Sequence, residues 1–283
     1  MKKKLFGVFA AVAAVALAGT MLVGCGGGSN GGSDAAFRTV DDITADGKIT
    51  IGVFSDKNPF GYVDENGEYQ GYDVELARQI GEDMGVEVEF VSTEAANRVE
   101  YLETAKVDLI LANFTVTPER AEAVDFCEPY MNVALGSVSH KSHVITSLDD
   151  VKDEKVIVIS GTTAETYLTE NYPEITQQKF DTYAAAKTAF ENDQNALWLN
   201  DNTEVIAFAN VDPAEYVVGI EELGNLDTIA PAVTKGNESL LTWINDEMKA
   251  LGAQKFFHGA YEKTLLDTYG ADYEDTLVVE PGV

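Results

Sequence analysis

The chain has 283 residues, with 48 Asp and Glu against 19 Lys and Arg, a formal charge of −29 and an ordinary hydrophobic fraction of 45%. So acidic a surface argues against nucleic acid as a partner, since phosphate binding needs clustered Lys and Arg, and against docking on anionic lipid through a basic patch. The apolar content argues against disorder, and the length suffices for one large domain or two small ones with a real core.

Lys2, Lys3 and Lys4 precede an uncharged run over 5–23 and then Gly24-Cys25. That order of basic, apolar and small-residue regions is the order of an export signal. The run is also about long enough to span a bilayer, which leaves a retained anchor helix as the alternative. Leu22-Val23-Gly24-Cys25 resembles a bacterial lipobox, which implies a lipoprotein signal peptide over 1–24 and a lipid anchor on Cys25. Loss of that segment removes three lysines and takes the charge from −29 to −32. Residues 25–37 are rich in Gly and Ser, a flexible tether. Twelve or so such residues reach roughly 20 Å, which places a following domain close to a membrane and to any partner in it.

From Lys48 onward, short apolar runs alternate with helical periodicity. Residues 49–54 read as a strand, and Asp73 is a candidate cap for a helix with Val74, Ala77, Ile80 and Met84 on one face. Residues 86–91 alternate with period two, 98–104 form a short helix, and 107–112 form a strand buried on both faces. A second series follows Tyr130: a strand over 156–159, an Ala-rich helix capped by Asp181, a strand over 196–199 and a helix over 202–210. Two amphipathic helices, 238–251 and 254–266, come last. Strand–helix alternation predicts open α/β sheets, and two such series predict two lobes.

Three features carry chemistry. In Asn113-Phe114-Thr115-Val116-Thr117-Pro118-Glu119-Arg120, Thr117 suits an N-cap and Pro118 the first helical position. This strand-to-helix turn offers Thr115, backbone N–H groups and Arg120 at the carboxyl end of a sheet, where open sheets bind ligands. A guanidinium with hydroxyl and backbone donors suits a carboxylate. Alone, Arg120 reads more readily as a surface arginine paired with Glu119 or Glu122. Gly161-Thr162-Thr163 forms a second such turn, with donors at a helix N-terminus. Asp201 follows a late strand and either meets an ammonium group or caps the next helix. Together the three have the donors and acceptor of a clamp for an α-amino acid.

The order of these blocks resembles the extracellular solute-binding proteins of amino-acid ABC transporters, family 3. The likeness runs over about 40–280 and includes Asn58-Pro59-Phe60-Gly61-Tyr62, Gly71-Tyr72-Asp73-Val74, Val107-Asp108-Leu109-Ile110, the Thr115–Arg120 block, Val124-Asp125-Phe126 with Pro129-Tyr130, and Gly161-Thr162-Thr163. The resemblance implies an α/β, two-lobed type II periplasmic-binding-protein fold with two hinge crossings. Lobe 1 would span 38–130 plus 231–283 and lobe 2 135–227, with crossings at 131–134 and 228–230. It also implies that Arg120 grips the ligand carboxylate, Thr163 assists it, and Asp201 accepts the ammonium with help from Thr115 and the backbone of Asn113. Arg98, beside Asn97, falls where the family lines the side-chain pocket. Phe60 is either an apolar wall of the site or core.

Lys57 stands where many relatives have an aromatic residue. It either attracts an acidic ligand side chain or points to solvent, with solvent favoured. The segments 54–60 and 95–100 look most like the cysteine-binding branch, and are close to relatives that bind glutamate, aspartate or glutamine. Cys127 reads as a buried small hydrophobe, His140 and His143 as parts of a solvated loop, His258 as structural, and 267–280 as a solvated acidic end. No metal site and no cofactor are expected. The leading expectation is a monomeric lipoprotein that delivers cysteine, or another small polar or acidic amino acid, to an ABC permease in the membrane. The rivals are a surface sensor or antigen and, behind it, a dehydratase-like enzyme on the same fold, which would need a poised acid or base that the motif blocks lack.

Overall fold

A computed structural model describes residues 37–283 apart from Lys152. The expected signal peptide, Cys25 and all but the last residue of the tether lie outside the described residues. The first lobe opens with α1 (Val40–Asp46), whose N-terminus is closed by a reciprocal Thr39–Asp42 capping box, and with β1 (Lys48–Val53). A small ribbon follows, made of β2 (Asp56–Lys57), β3 (Gly61–Val63) and β4 (Tyr69–Gln70). Next come α2 (Tyr72–Met84), β5 (Glu87–Ser92), α3 (Arg98–Glu103), β6 (Leu109–Ile110), α4 (Pro118–Ala123) and β7 (Val124–Phe126).

β8 (Met131–His140) crosses to the second lobe, built from β9 (Val156–Ile159), α5 (Thr163–Asn171), β10 (Gln177–Phe180), α6 (Tyr183–Glu191), β11 (Leu197–Asp201) and α7 (Asn202–Val211). β12 (Tyr216–Ile229) returns to β13 (Ala232–Thr234). Helices α8 (Glu238–Ala253), α9 (Phe256–Thr264), α10 (Leu266–Tyr269) and α11 (Glu274–Leu277) then pack on the first lobe, and α10 also meets α7 of the second, where the Tyr269 hydroxyl donates to the Thr203 carbonyl at 2.8 Å.

Each lobe holds a five-stranded sheet, ordered β5-β1-β6-β13-β7 in the first and β10-β9-β11-β8-β12 in the second. In the first, β5, β1 and β6 are parallel and β13 runs against β6; in the second, β10, β9 and β11 are parallel and β8 runs against β11. The parallel strands carry the buried runs of the sequence, Ile49, Ile51 and Val53 in β1 and all of 156–159 in β9. The inner face of α2, with Val74, Ala77 and Ile80, shares one buried core with Ile49 and Ile51 of β1 and with Ile244 and Met248 of α8. A second apolar cluster runs from Phe54 and Phe114 of the first lobe to Tyr183, Phe190 and Trp198 of the second, so the lobes share buried contacts. The two crossing segments are hydrogen-bonded to each other, with Ile229 opposite Met131 and Asp227 opposite Val133. The register then breaks: Leu223 pairs with Leu135, so residues 224–226 stand opposite Ala134 alone.

Four expectations are corrected. The N-cap of α2 is Gly71, and Asp73 lies in the first turn, fully buried. The first N–H groups of α2, from Tyr72 and Asp73, donate to the carbonyls of Pro59 and Phe60 at 3.0 Å each. A Cβ at Gly71 would lie 2.3 Å from the Phe60 oxygen, and its φ is +118°, so this cap requires glycine. The cap of α6 is Thr182, whose hydroxyl accepts from Ala185 N–H at 3.2 Å, while Asp181 accepts from the Ser160 hydroxyl. His140 ends β8 and is buried, stacked on Phe190 at 4.6 Å. The acidic end is solvated only in part: Asp267, Asp272 and Asp275 are exposed, but Glu280 accepts from the backbone N–H of His258 at 3.0 Å and Val278 bridges to Met131. Cys127 is a buried free thiol.

Candidate functional site

The anion end of the site begins where β6 stops. The continuous apolar run ends at Ala112, and Asn113, buried and in the left-handed region at φ +46°, turns the chain. Thr117 then caps α4, accepting from Arg120 N–H at 3.2 Å, with Pro118 in the first turn. This geometry folds the Arg120 side chain back over its own turn. Nη1 donates to the Thr115 carbonyl at 2.8 Å, and Nη2 donates across the lobes to the Gly161 carbonyl at 2.9 Å. Arg98 donates to that same Gly161 oxygen at 3.1 Å, and also to the carbonyls of Ala95, Ala112 and Asn113.

Both guanidiniums pack on the Phe114 ring, Arg98 at 4.4 Å and Arg120 at 4.9 Å from its centroid. Burial, and then the charge of Arg98, push Arg120 down to about 9. Burial likewise lowers Arg98. Two positive groups thus converge on one neutral carbonyl, which leaves this end short of negative charge.

The ammonium end lies deeper. Asp201 terminates β11 and is 5% exposed, with its N–H held by Asn200 Oδ1 at 2.7 Å. Its Oδ2 accepts from Lys57 Nζ at 2.9 Å, and Asn113 Oδ1 accepts from the same ammonium at 2.6 Å. Three rings surround Nζ, those of Tyr183 at 5.0 Å, Phe60 at 5.4 Å and Phe54 at 5.7 Å. Lys57 is 0% exposed, so the expectation of a solvent-facing lysine is corrected. Burial alone would pull its ammonium down, but Asp201, with Tyr183 and Glu204 behind it, holds it above the ordinary lysine value. Beneath the cage, Asp73 accepts from Asn113 N–H at 2.8 Å and from the Tyr130 hydroxyl at 2.7 Å. Burial raises this carboxyl to about 7 against those two donors.

A cavity of about 560 Å³ opens beside Arg120. Its walls include Arg120 from the first lobe, Thr163 and Tyr167 from the second, and Leu223, Gly224 and Asp227 from the returning crossing. Of the residues expected in the site, Arg120 and Thr163 line this cavity. Asn113, Asp201, Phe60 and Lys57 converge on a single ammonium, and Arg98 braces the turn between the two ends. Thr115 contributes its carbonyl to Arg120. Sequence reasoning missed the Gly161 carbonyl, Asp73, Tyr130, Tyr183 and Asp227. Among the described residues, no group of three His, Cys, Asp or Glu is placed to hold a metal ion.

Known proteins share this chain's sequence and fold. The model of the bacterial extracellular solute-binding proteins, family 3, matches residues 49–266. Two solved structures are similar at close to half identity. One is a cysteine-binding protein from Campylobacter jejuni, 47% identical over 85% of this chain and 98% of that one, with a TM-score of 0.83. The other is a solute receptor for L-cysteine from Neisseria gonorrhoeae, 48% identical over 86% of this chain and all of that one, with a TM-score of 0.84. The ABC transporter glutamine-binding protein GlnH of Bacillus subtilis is 29% identical over 86% of this chain and 91% of its own length.

Proposed function

The chain belongs to the bacterial extracellular solute-binding proteins of family 3, and from that premise we propose that it is the receptor of an amino-acid ABC importer, holding one free amino acid between its lobes for a membrane permease. Cysteine is the ligand the similar structures favour, with a small polar or acidic amino acid as the wider class. The observation that carries the reading is the half-buried Arg120, which faces a cavity between the lobes and has no carboxylate partner among the described residues. A ligand carboxylate would supply the missing charge, with Thr163 and the first turn of α5 as further donors. Asp201 and Asn113 supply the acceptors for its ammonium, and Thr115 positions Arg120. Lobes at 38–130 plus 231–283 and at 135–227, hinged at 131–134 and 228–230, a lipid anchor on Cys25, a monomeric state, and binding without turnover belong to the same proposal.

A thermal-shift screen of the 20 amino acids and cystine tests it, because a ligand that binds only the folded state raises the midpoint. The expected hits are cysteine or another member of that class, and no shift with any of them would refute the reading. Arg120→Ala removes a desolvated charge pair, and calorimetry should show a loss of roughly 100-fold or more. Near-normal affinity in that variant would remove Arg120 from the site. Bound ligand recovered chemically unchanged after incubation is the expected outcome for a receptor, and product formation would point to the enzyme instead.

A further inference from the structure

The two ends of the site are not alike. Arg120 opens on the cavity, whereas the cage formed by Asp201, Asn113 and the rings of Tyr183, Phe60 and Phe54 is already full. Its occupant, Lys57, presents the same –NH3+ group that an amino-acid ligand would present, and it takes the same two acceptors, at 2.9 and 2.6 Å. Asn113 Nδ2 is left buried and without a partner among the described residues.

We infer that Lys57 is a tethered competitor for the ligand ammonium, which ties the lobes together through Asp201 and Asn113 and is exchanged for the ligand when an amino acid binds. The inference rests on the amino-acid reading and adds a residue that sets its specificity. Arg98 could not play this part: its donors end on four backbone carbonyls that brace two turns, and withdrawing it would orphan all of them. Among the described residues Lys57 Nζ has two polar partners, both belonging to the ammonium receptor, and Lys57 lies on the two-residue edge strand β2. Its flexible stem can carry the charge back to water, where an ammonium is well solvated.

Without Lys57, closure would bury the Asp201 carboxylate unpaired, which is strongly unfavourable. With it, closure needs no ligand. The exchange also sets selectivity. An incoming amino acid gains only the difference between its own ammonium and that of Lys57. A carboxylate that lacks an amino group leaves Lys57 in place, so no buried charge is orphaned.

Lys57→Met keeps the length of the stem and removes the charge. Small-angle scattering of ligand-free protein should show wild type compact, Lys57→Met expanded, and the double variant Lys57→Met/Asp201→Asn compact again. Equal radii of gyration for wild type and Lys57→Met would overturn the inference, and this arm needs no ligand. Calorimetry with L-cysteine and its des-amino analogue 3-mercaptopropionate, under reductant, reads the exchange itself. Wild type should prefer L-cysteine by less than about tenfold. Lys57→Met should bind L-cysteine about tenfold tighter and prefer it by roughly 100-fold or more. Weaker L-cysteine binding in Lys57→Met, with an unchanged thermal midpoint, would make Lys57 a direct ligand contact and also overturn the inference. Failure of all 20 amino acids to bind either protein would sink the amino-acid reading, while the scattering arm would still decide the role of Lys57.

Discussion

Asp73 shows how far a single residue can depart from its local signal. An aspartate just before an amphipathic run reads as a cap, yet the cap is Gly71, and Asp73 turns inward to hold Asn113 N–H and the Tyr130 hydroxyl. Its carboxyl, raised by burial to about 7, faces Lys57 and Arg98 as its nearest charges. The folded value lies above the ~3.9 of an exposed aspartate, so the native state binds the proton more tightly. Its contribution to stability is therefore full below about pH 4 and lost as pH rises through 7. Denaturant unfolding at pH 5 and pH 8 should show wild type losing about 3 kcal/mol more than Asp73→Asn does over that interval. An equal loss in both would assign the titration elsewhere. Lys57 was misread for a related reason. Alternation needs several residues to show which way a side chain points, and β2 has two. The cage around Lys57 is assembled from positions as distant as Asp201, a pairing that no local pattern encodes.

At the scale of elements the sequence was more legible. The strands of 49–54 and 156–159, the helix over 98–104 and the Thr117–Pro118 start of α4 stand close to where periodicity and capping chemistry put them. Long apolar runs and N-caps act within a turn or two, and their signals are correspondingly local. The Gly161-Thr162-Thr163 turn was legible as a helix start. Its use of the Gly161 carbonyl as a shared acceptor for two arginines of the other lobe was not, because that contact exists only once the lobes meet. A Cβ on Gly161 would come within 2.4 Å of Ala96 Cα, and the residue sits at φ +78°. Gly161→Ala should cost the folded protein about 1–2 kcal/mol of local strain, seen as a fall of a few degrees in the thermal midpoint. It should cost ligand affinity more than roughly tenfold, because the added methyl blocks closure against Ala96. A variant that loses stability but keeps affinity would show that the lobes close without this contact.

Across the whole molecule, two rounds of strand–helix alternation were enough to indicate two lobes. The acidic composition gave no hint that Lys57, Arg98 and Arg120 gather at the junction of those lobes, in a chain whose net charge is −29. Composition averages over the surface, and the site depends on a few charges that the fold removes from it. The crossing has its own asymmetry. One edge of the β8–β12 ribbon carries Gly224, Asn225 and Leu226 opposite Ala134 alone, and Leu226 is 66% exposed while Gly224 lines the cavity. One of these three balances Ala134 and the other two are slack, a spare length of chain on the side of the strap that faces the ligand. A ribbon with equal edges could open only by breaking its ladder, whereas this one can lengthen one edge and keep its other hydrogen bonds. Excising Asn225 and Leu226 should therefore yield a folded protein whose radius of gyration no longer responds to ligand in small-angle scattering. The shortened edge would fix the distance between the lobes in the way a strap without slack fixes a lid.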